Sequence, residues 1–398
     1  MLSTPTRREL LHAAATALAI ARPPRLGAAT YDLLIKGGRV IDPAQRLDAV
    51  ADVGIVGNVI AAVGPDLPAA EAAKVIDASG RIVTPGLVDI HAHISQEMPP
   101  SHCLSTGVTA LADAGSCGAD NVRDVLRLAD MADGRVRVLL NLARTGLIGL
   151  GATGELLDFA NADVKAARRV VEARPGVVVG IKARLSKSAA GPHDLDAVRR
   201  AHEITVPLNL PLMVHVGQTE SPLPEILKLL RPGDIVTHLY APPPHGMLDD
   251  AGRVLPEVRE ARQRGVLFDV GNGRSGHITW DVAEKAMQQG FLPDTISSDL
   301  TAPGRTDRVF DFPTVLSKFL LLGMPLDQVI ARATVNAAKA LPIFADLGTL
   351  RKNGPADVAI FELRTGSFEF VDNERTVRTG TQKLVPAGVV VQGRYIAS

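Results

Sequence analysis

The stretch VTPGLVDIHAHI, residues 83–94, decides how the chain is read. A short apolar run breaks at Pro85-Gly86, re-forms as Leu87-Val88-Asp89-Ile90, and delivers His91 and His93 with Ala92 between them. Side chains alternate faces along a strand, so residues two apart point the same way. The two imidazoles therefore project together from the end of an apolar strand. Ring nitrogens so placed suit a divalent metal, and zinc is the commonest such ion with nitrogen and oxygen ligands. Two polar residues capping a strand explain HxH alone as well, so the reading depends on what the other strands carry.

Downstream of Gly86, short apolar strands alternate with amphipathic helices. The pattern predicts strands at 87–93, 108–113, 136–142, 177–184, 212–216, 235–240, 266–270 and 295–299. Helical periodicity falls between them at 119–132, 164–172, 194–204, 222–230, 255–264 and 282–289, then at 312–322 and 326–340. Eight such units over roughly 250 residues have the length and rhythm of an α/β fold, the (β/α)8 TIM barrel. A doubly wound open sheet is the rival, but it calls for a glycine-rich phosphate turn after its first strand, and none follows His93. Upstream, 30–85 reads as antiparallel hairpins turning at Gly37-Gly38, Gly57-Asn58 and Ser79-Gly80. Strand texture returns over 346–398. The two ends are expected to pair into one small β-sandwich, with the barrel of 86–345 inserted in it.

Catalytic groups in such a barrel come from the carboxyl ends of several strands. The fourth strand carries Lys182 deep in an apolar run, the fifth and sixth end in His215 and His238, and the eighth ends in Asp299. Singly each has a plain explanation: a hydrogen-bonded core histidine, or an aspartate capping a helix. A buried lysine is costlier, because desolvation penalises the ammonium form. Together, at matching strand ends, they mark one mouth of the barrel.

These phrases, PGLVDIHAHI (85–94), GIKAR (180–184), VHVG (214–217), THLY (237–240) and SSDL (297–300), resemble the amidohydrolase superfamily of binuclear metal hydrolases. GVTALADAGSCGADN (107–121) together with GIKAR looks most like its amidohydrolase/deacetylase group. The resemblance implies two divalent ions, zinc by default, with manganese, cobalt or iron also fitting. His91, His93 and Asp299 would hold the first and His215 and His238 the second. Lys182, carboxylated to N6-carboxylysine, would bridge them. It further implies hydrolysis of a small-molecule amide or ester by a metal-bridging hydroxide, with Asp299 as general base and then acid. Arg184, two residues beyond Lys182, either grips a substrate carboxylate or pairs with a loop acid. His277, in the loop after the seventh strand, is a second candidate for substrate contact; Arg144, Arg274 and Arg305 are weaker ones. The group is expected to carry histidine where Asn272 stands. Dihydroorotases carry an arginine soon after HxH, whereas Ile94-Ser95 follows here. Cyclic-amide ring opening (dihydroorotase, hydantoinase or allantoinase-like) therefore ranks behind deacylation. A non-catalytic relative keeping only the fold ranks last, because the ligand set is complete.

Composition agrees with a globular enzyme: 46% hydrophobic and 22% charged residues, with 43 basic and 43 acidic side chains. That balance gives no ground for capture of nucleic acid or an acidic membrane. Two cysteines, Cys103 and Cys117, make neither a disulfide framework nor a CxxC pair. Arg7-Arg8, an alanine-rich apolar run over 10–21 and small residues at 27–29 read as a twin-arginine signal over 1–29, hence a periplasmic or exported protein; an incidental basic N-terminus would instead leave it cytoplasmic. The run is too short for stable membrane insertion. Homo-oligomerisation is left open.

Overall fold

The structure is a computed structural model describing residues 29–147 and 155–397. All but the last residue of the expected export signal lies outside them.

The chain begins with β1 (Leu33–Asp42), β2 (Leu47–Val56), β3 (Val59–Gly64), β4 (Val75–Asp77) and β5 (Ile82–Pro85). β1, β2 and β3 form antiparallel pairs, with the expected turn at Gly57-Asn58. Two expectations fail here. Gly37-Gly38 is not a turn: β1 runs through it, and the step from Ile35 to Gly38 faces only Val53 to Ala51 of β2. Gly37, at φ +73°, forms the bulge and donates its N–H to Asp52 Oδ1 at 2.7 Å. Nor are β4 and β5 hairpin partners, since both lie parallel to β1.

The barrel strands come next: β6 (Leu87–Ala92), β7 (Val108–Ala114), β8 (Arg135–Asn141), β9 (Val178–Arg184), β10 (Leu212–His215), β11 (Ile235–Thr237) and β12 (Leu267–Asp269). They form one parallel sheet in chain order. Every residue of β6, β7 and β10 is buried, as expected for strands covered on both faces. The eighth segment makes no regular ladder. It closes the ring through single bridges, Thr295 to Asp269 and Leu300 to Ala92, and through hydrogen bonds such as Asn272 N–H to Ser297 O at 3.1 Å. Asp299, at φ 48°, takes the chain out of strand geometry there.

Two bulges aim the site. In β6 the step from Asp89 to Ala92 faces only Leu111 to Asp113 of β7. Val88 and Ile90 lie in the inner core while Ala92 packs in the outer layer, so the side-chain alternation reverses at this point. In β9 the step from Val178 to Gly180 faces Val138 to Leu139 of β8. Val179 is inner, Ile181 and Ala183 are outer, and Lys182 is left to point inward. Bulges beside active sites re-aim side chains in this way.

Helices cover the outside, and three of them border the site or its supports: α1 (Trp280–Gln288), α2 (Phe312–Leu321) and α3 (Leu326–Ala333). The helix expected over 326–340 is broken at Thr334 (φ −130°, ψ −99°), whose hydroxyl donates back to Ile330 O at 2.6 Å. Finally β13 (Val358–Val371), β14 (Val377–Val391) and β15 (Arg394–Ile396) join the first module, β13 pairing antiparallel with β5. The result is one eight-stranded mixed sheet from both chain ends. Its core mixes Leu33, Val53 and Ile60 with Val358, Ile360 and Val390. The fold is a TIM barrel plus a sandwich domain, as the sequence led us to expect.

Candidate metal centre

The carboxyl ends of the barrel strands bring His91, His93, Lys182, His215, His238 and Asp299 into one cluster. His91 Nε2 lies 3.0 Å from Lys182 Nζ and 3.3 Å from Asp299 Oδ1, and His93 Nε2 lies 3.0 Å from the same oxygen. The ring of His238 is 5.2 Å from that of His91 and 4.1 Å from that of His215, centre to centre. His277 joins them, stacked on His238 at 3.7 Å, with Nδ1 3.0 Å from Asp299 Oδ2 but poorly aligned for a hydrogen bond.

The partners of three rings fix which nitrogen faces the cluster. Thr237 Oγ1 donates its proton to Asp269 Oδ2 at 2.7 Å, so at 2.9 Å from His91 Nδ1 it can only accept. Ser116 Oγ likewise donates to Asp113 Oδ2 at 2.6 Å and accepts from His93 Nδ1 at 2.9 Å. His238 Nδ1 donates to Gly271 O at 2.7 Å. All three rings are thereby held with the proton on Nδ1 and the Nε2 lone pair turned inward. Such outer partners orient metal-ligating histidines. His238 Nε2 is buried with no hydrogen-bond partner, which is costly unless something is bound there.

Electrostatics point the same way. Burial, aided by the Lys182 charge, pushes the His91 imidazole down to about 4. Burial and neighbouring imidazoles hold His215 and His238 well below the ordinary histidine range. These rings are neutral donors. Burial would raise the Asp299 carboxyl, but the adjacent His91, with His277 and His93 beside it, holds it well below the usual range. Burial lowers the Lys182 amine to about 7, against the pull of Asp299 and Asp269. Neutral imidazoles, an ionised carboxylate and a partly neutral amine fit divalent cations, and two triads here, His91–His238–Asp299 and His215–His238–His277, have donors close enough to share one.

The backbone is shaped to the cluster. His238 (φ 71°) and Asp299 (φ 48°) both adopt left-handed conformations rare for such residues, and backbone strain of this kind gathers at functional sites. Gly273 (φ +52°) passes so close that a Cβ there would stand 1.9 Å from His277 Nδ1 and 2.3 Å from Asp299 Oδ2.

Arg184 is ion-paired with the buried Glu155, so its guanidinium is already engaged by a loop acid. Arg144 pairs with Asp120 at 2.7 Å in an exposed position. Asn272 is buried and turned away from the cluster, accepting from Lys318 Nζ at 3.0 Å. Thr237, Asp269, Ser116 and Asp113 are not among the residues the sequence singles out. Asp113 and Asp269 sit at the ends of the second and seventh strands, so the strand-end rule applied to every strand would have found them.

A parallel barrel with imidazoles, an amine and a carboxylate gathered at its carboxyl rim defines the class, a barrel hydrolase. The chain belongs to the amidohydrolase family, whose sequence model matches residues 82–396. It is a hydrolase acting on C–N bonds. Two bacterial proteins named deacetylase are similar to it. The Enterococcus faecalis protein is 28% identical over 373 residues, covering 92% of this chain and 98% of its own. The Brucella anthropi protein is 30% identical over 363 residues, covering 89% and 90%. Among solved structures, an adenine deaminase superposes with a TM-score of 0.85 and a dihydroorotase with 0.82. Both are 28% identical and cover 92% of this chain, with 100% and 99% of their own chains covered.

Proposed function

We propose that the protein is a binuclear metal-dependent deacylase, cleaving an amide or ester bond of a small acylated compound. One observation carries this reading: His91, His93 and His238 gather around Asp299, His215 packs beside His238, and the buried Lys182 reaches His91 with no acidic partner in hydrogen-bond reach among the described residues. His91, His93 and Asp299 would hold one ion and His215 and His238 the other. Lys182 would bridge them after its neutral amine adds carbon dioxide, forming an N–C bond, releasing a proton and becoming an anionic ligand. An ammonium could not stand between two cations. The depressed affinity of this amine for protons favours the addition near neutral pH.

When bound, two such ions polarise a carbonyl and acidify water. The protein's own part is proton handling and positioning. Asp299 takes the proton of the attacking water and passes it to the leaving nitrogen or oxygen. His277, over Asp299 and beside His238, stands where a substrate enters. Names of relatives support deacylation over ring opening, and so does Ile94-Ser95, with the Ile94 N–H already held by Asp113 Oδ2 at 2.9 Å. Ring opening is the second reading, favoured by the likeness to the dihydroorotase structure.

The test is a hydrolysis screen of zinc-loaded protein against acetylated hydroxy acids, N-acyl amino acids, hydantoins and dihydroorotate. Preference for an open-chain acyl compound is expected. Preference for a ring reverses the order of the two readings, and no turnover of either class removes both. Export through the twin-arginine route belongs to the same proposal, since that route carries proteins already folded around their metals. Fractionation of the native host would place the protein outside the cytoplasm.

A further inference from the structure

The cluster leans on a segment far from any barrel strand. Between β13 and β14 the chain turns over 372–376. Residues 374–377 are exposed, yet Asp372 and Asn373 keep only 2% and 7% of their surface. A buried carboxamide at a hairpin tip must find partners, and Asn373 finds them all in one loop. Its backbone N–H donates to Ile278 O at 3.1 Å. Its Oδ1 accepts from the N–H groups of His277 and Ile278 at 2.9 and 3.3 Å. Its Nδ2 donates to Gly273 O at 3.0 Å. Asp372 Oδ2 receives the Trp280 N–H at 3.1 Å, and Trp280 Nε1 donates to Thr376 O at 2.8 Å. One side chain thus ties together both ends of the segment 273–277. Those two ends are Gly273, which crowds Asp299, and His277, whose ring lies against Asp299 and His238.

We propose that Asn373 is a positioning residue of the metal centre. The C-terminal hairpin, through this one amide, sets where His277 stands over Asp299 and His238, and so makes the sandwich domain part of the catalytic apparatus. The proposal rests on reading the cluster as a metal centre and is independent of which bond is cleaved.

The decisive measurement is zinc affinity, by chelator competition, for the wild type, Asn373→Ala, His277→Ala and the double variant. Loss of an orienting partner typically weakens metal affinity about 10- to 100-fold, and each single variant is expected in that range. The double variant should bind no more weakly than His277→Ala, because Asn373 acts through His277, and residues in one network are non-additive. Asn373→Asp keeps the acceptor for His277 but sets a carboxylate oxygen against Gly273 O in place of the donor. It is expected between wild type and alanine, and carries the test if the alanine variant does not fold. Glu374→Ala, on the exposed side of the turn, should match wild type. Trp280 is the only tryptophan and lies in the seam, so its emission in zinc-free protein reports the seam without reference to metal or substrate. Wild-type zinc affinity in an Asn373→Ala protein whose Trp280 emission has shifted overturns the proposal, as do additive losses in the double variant. If the wild type binds zinc and the cycle behaves as stated but no acyl compound is cleaved, deacylation falls and this proposal stands. A wild type that takes up no zinc overturns both.

Discussion

At the scale of single residues, the proposed centre gives Asp299 the proton transfer and Lys182 the bridge. Asp299→Asn keeps an oxygen near His91 and His93 but cannot accept a proton. Turnover should fall by roughly 10²–10⁴, the usual span for a general base, while metal analysis finds the ions largely retained. Near-normal turnover would refute the role given to Asp299. Lys182→Ala should behave oppositely. It removes the side chain proposed as the bridge, so the ions should be lost, and short-chain carboxylates added to the buffer should restore part of the metal content and the rate. Unchanged metal content in that variant would sink the bridge. Thr237→Val isolates an orienting partner: it keeps the volume but frees His91 Nδ1, and a drop of about 10- to 100-fold in metal affinity is expected. The clustered histidines and Asp299 were legible in the sequence because each falls at the end of an apolar run, where the barrel rule says to look, and Lys182 because an amine deep in such a run is costly. Thr237 and Asn373, which support them, were not. The Thr237 hydroxyl beneath His91 comes from 146 residues away, and Asn373 reaches the His277 amide across 96. Contacts at such separations depend on how the strands are arranged around the ring, which no local pattern encodes.

Among the elements, α2 carries a group whose chemistry is measurable. Lys318 is buried under the 271–273 loop, with Nζ donating to Asn272 Oδ1 at 3.0 Å and Arg308 O at 2.7 Å. Burial pushes its amine down to about 7, with Asp372 opposing and Arg308 assisting. Between about pH 7 and the ordinary lysine value near 10.5, the unfolded chain binds a proton at this site that the folded protein does not. Stability attributable to Lys318 therefore rises with pH across that window, by at most about 1.4 kcal/mol per unit, and is flat below it. The stability difference between wild type and Lys318→Met, from urea unfolding at several pH values, should show that slope. A difference constant from pH 6 to 10 would mean the amine is charged in the fold. The bulges in β6 and β9 belong to this scale too. Strand alternation correctly paired His91 with His93, but could not say which face of the barrel they share. A bulge is defined against its neighbouring strand, so its position appears only once β6 lies beside β7 and β9 beside β8.

For the whole molecule, the question is whether barrel and sandwich are two bodies or one. The β5 strand pairs with β13 from the far end of the chain, and Gly86 N–H donates to Asp357 O at 2.9 Å at the junction. Asp357 in turn is ion-paired with Arg135 of β8 and receives the Gln392 N–H at 2.8 Å. Ala359, Phe361 and Leu384 of the C-terminal strands belong to the same apolar core as the outer layer of the barrel. At the opposite end of the hairpin, Asp372, Asn373 and Thr376 bind the loop leading into α1. With apolar packing between the two anchor points, neither domain can open without exposing the other's core. Heating should therefore unfold the metal-loaded protein in one step. Trp280 fluorescence, which reads the seam, and far-UV ellipticity, which reads all the helices, should give coincident midpoints, the signature of a cooperative unit. Arg135→Met should lower both midpoints together, since it takes the ion-pair partner from the buried Asp357 carboxylate. A seam transition that precedes the ellipticity change by many degrees would show two independent bodies. The sandwich would then be an appendage, and Asn373 would have no rigid base from which to place His277.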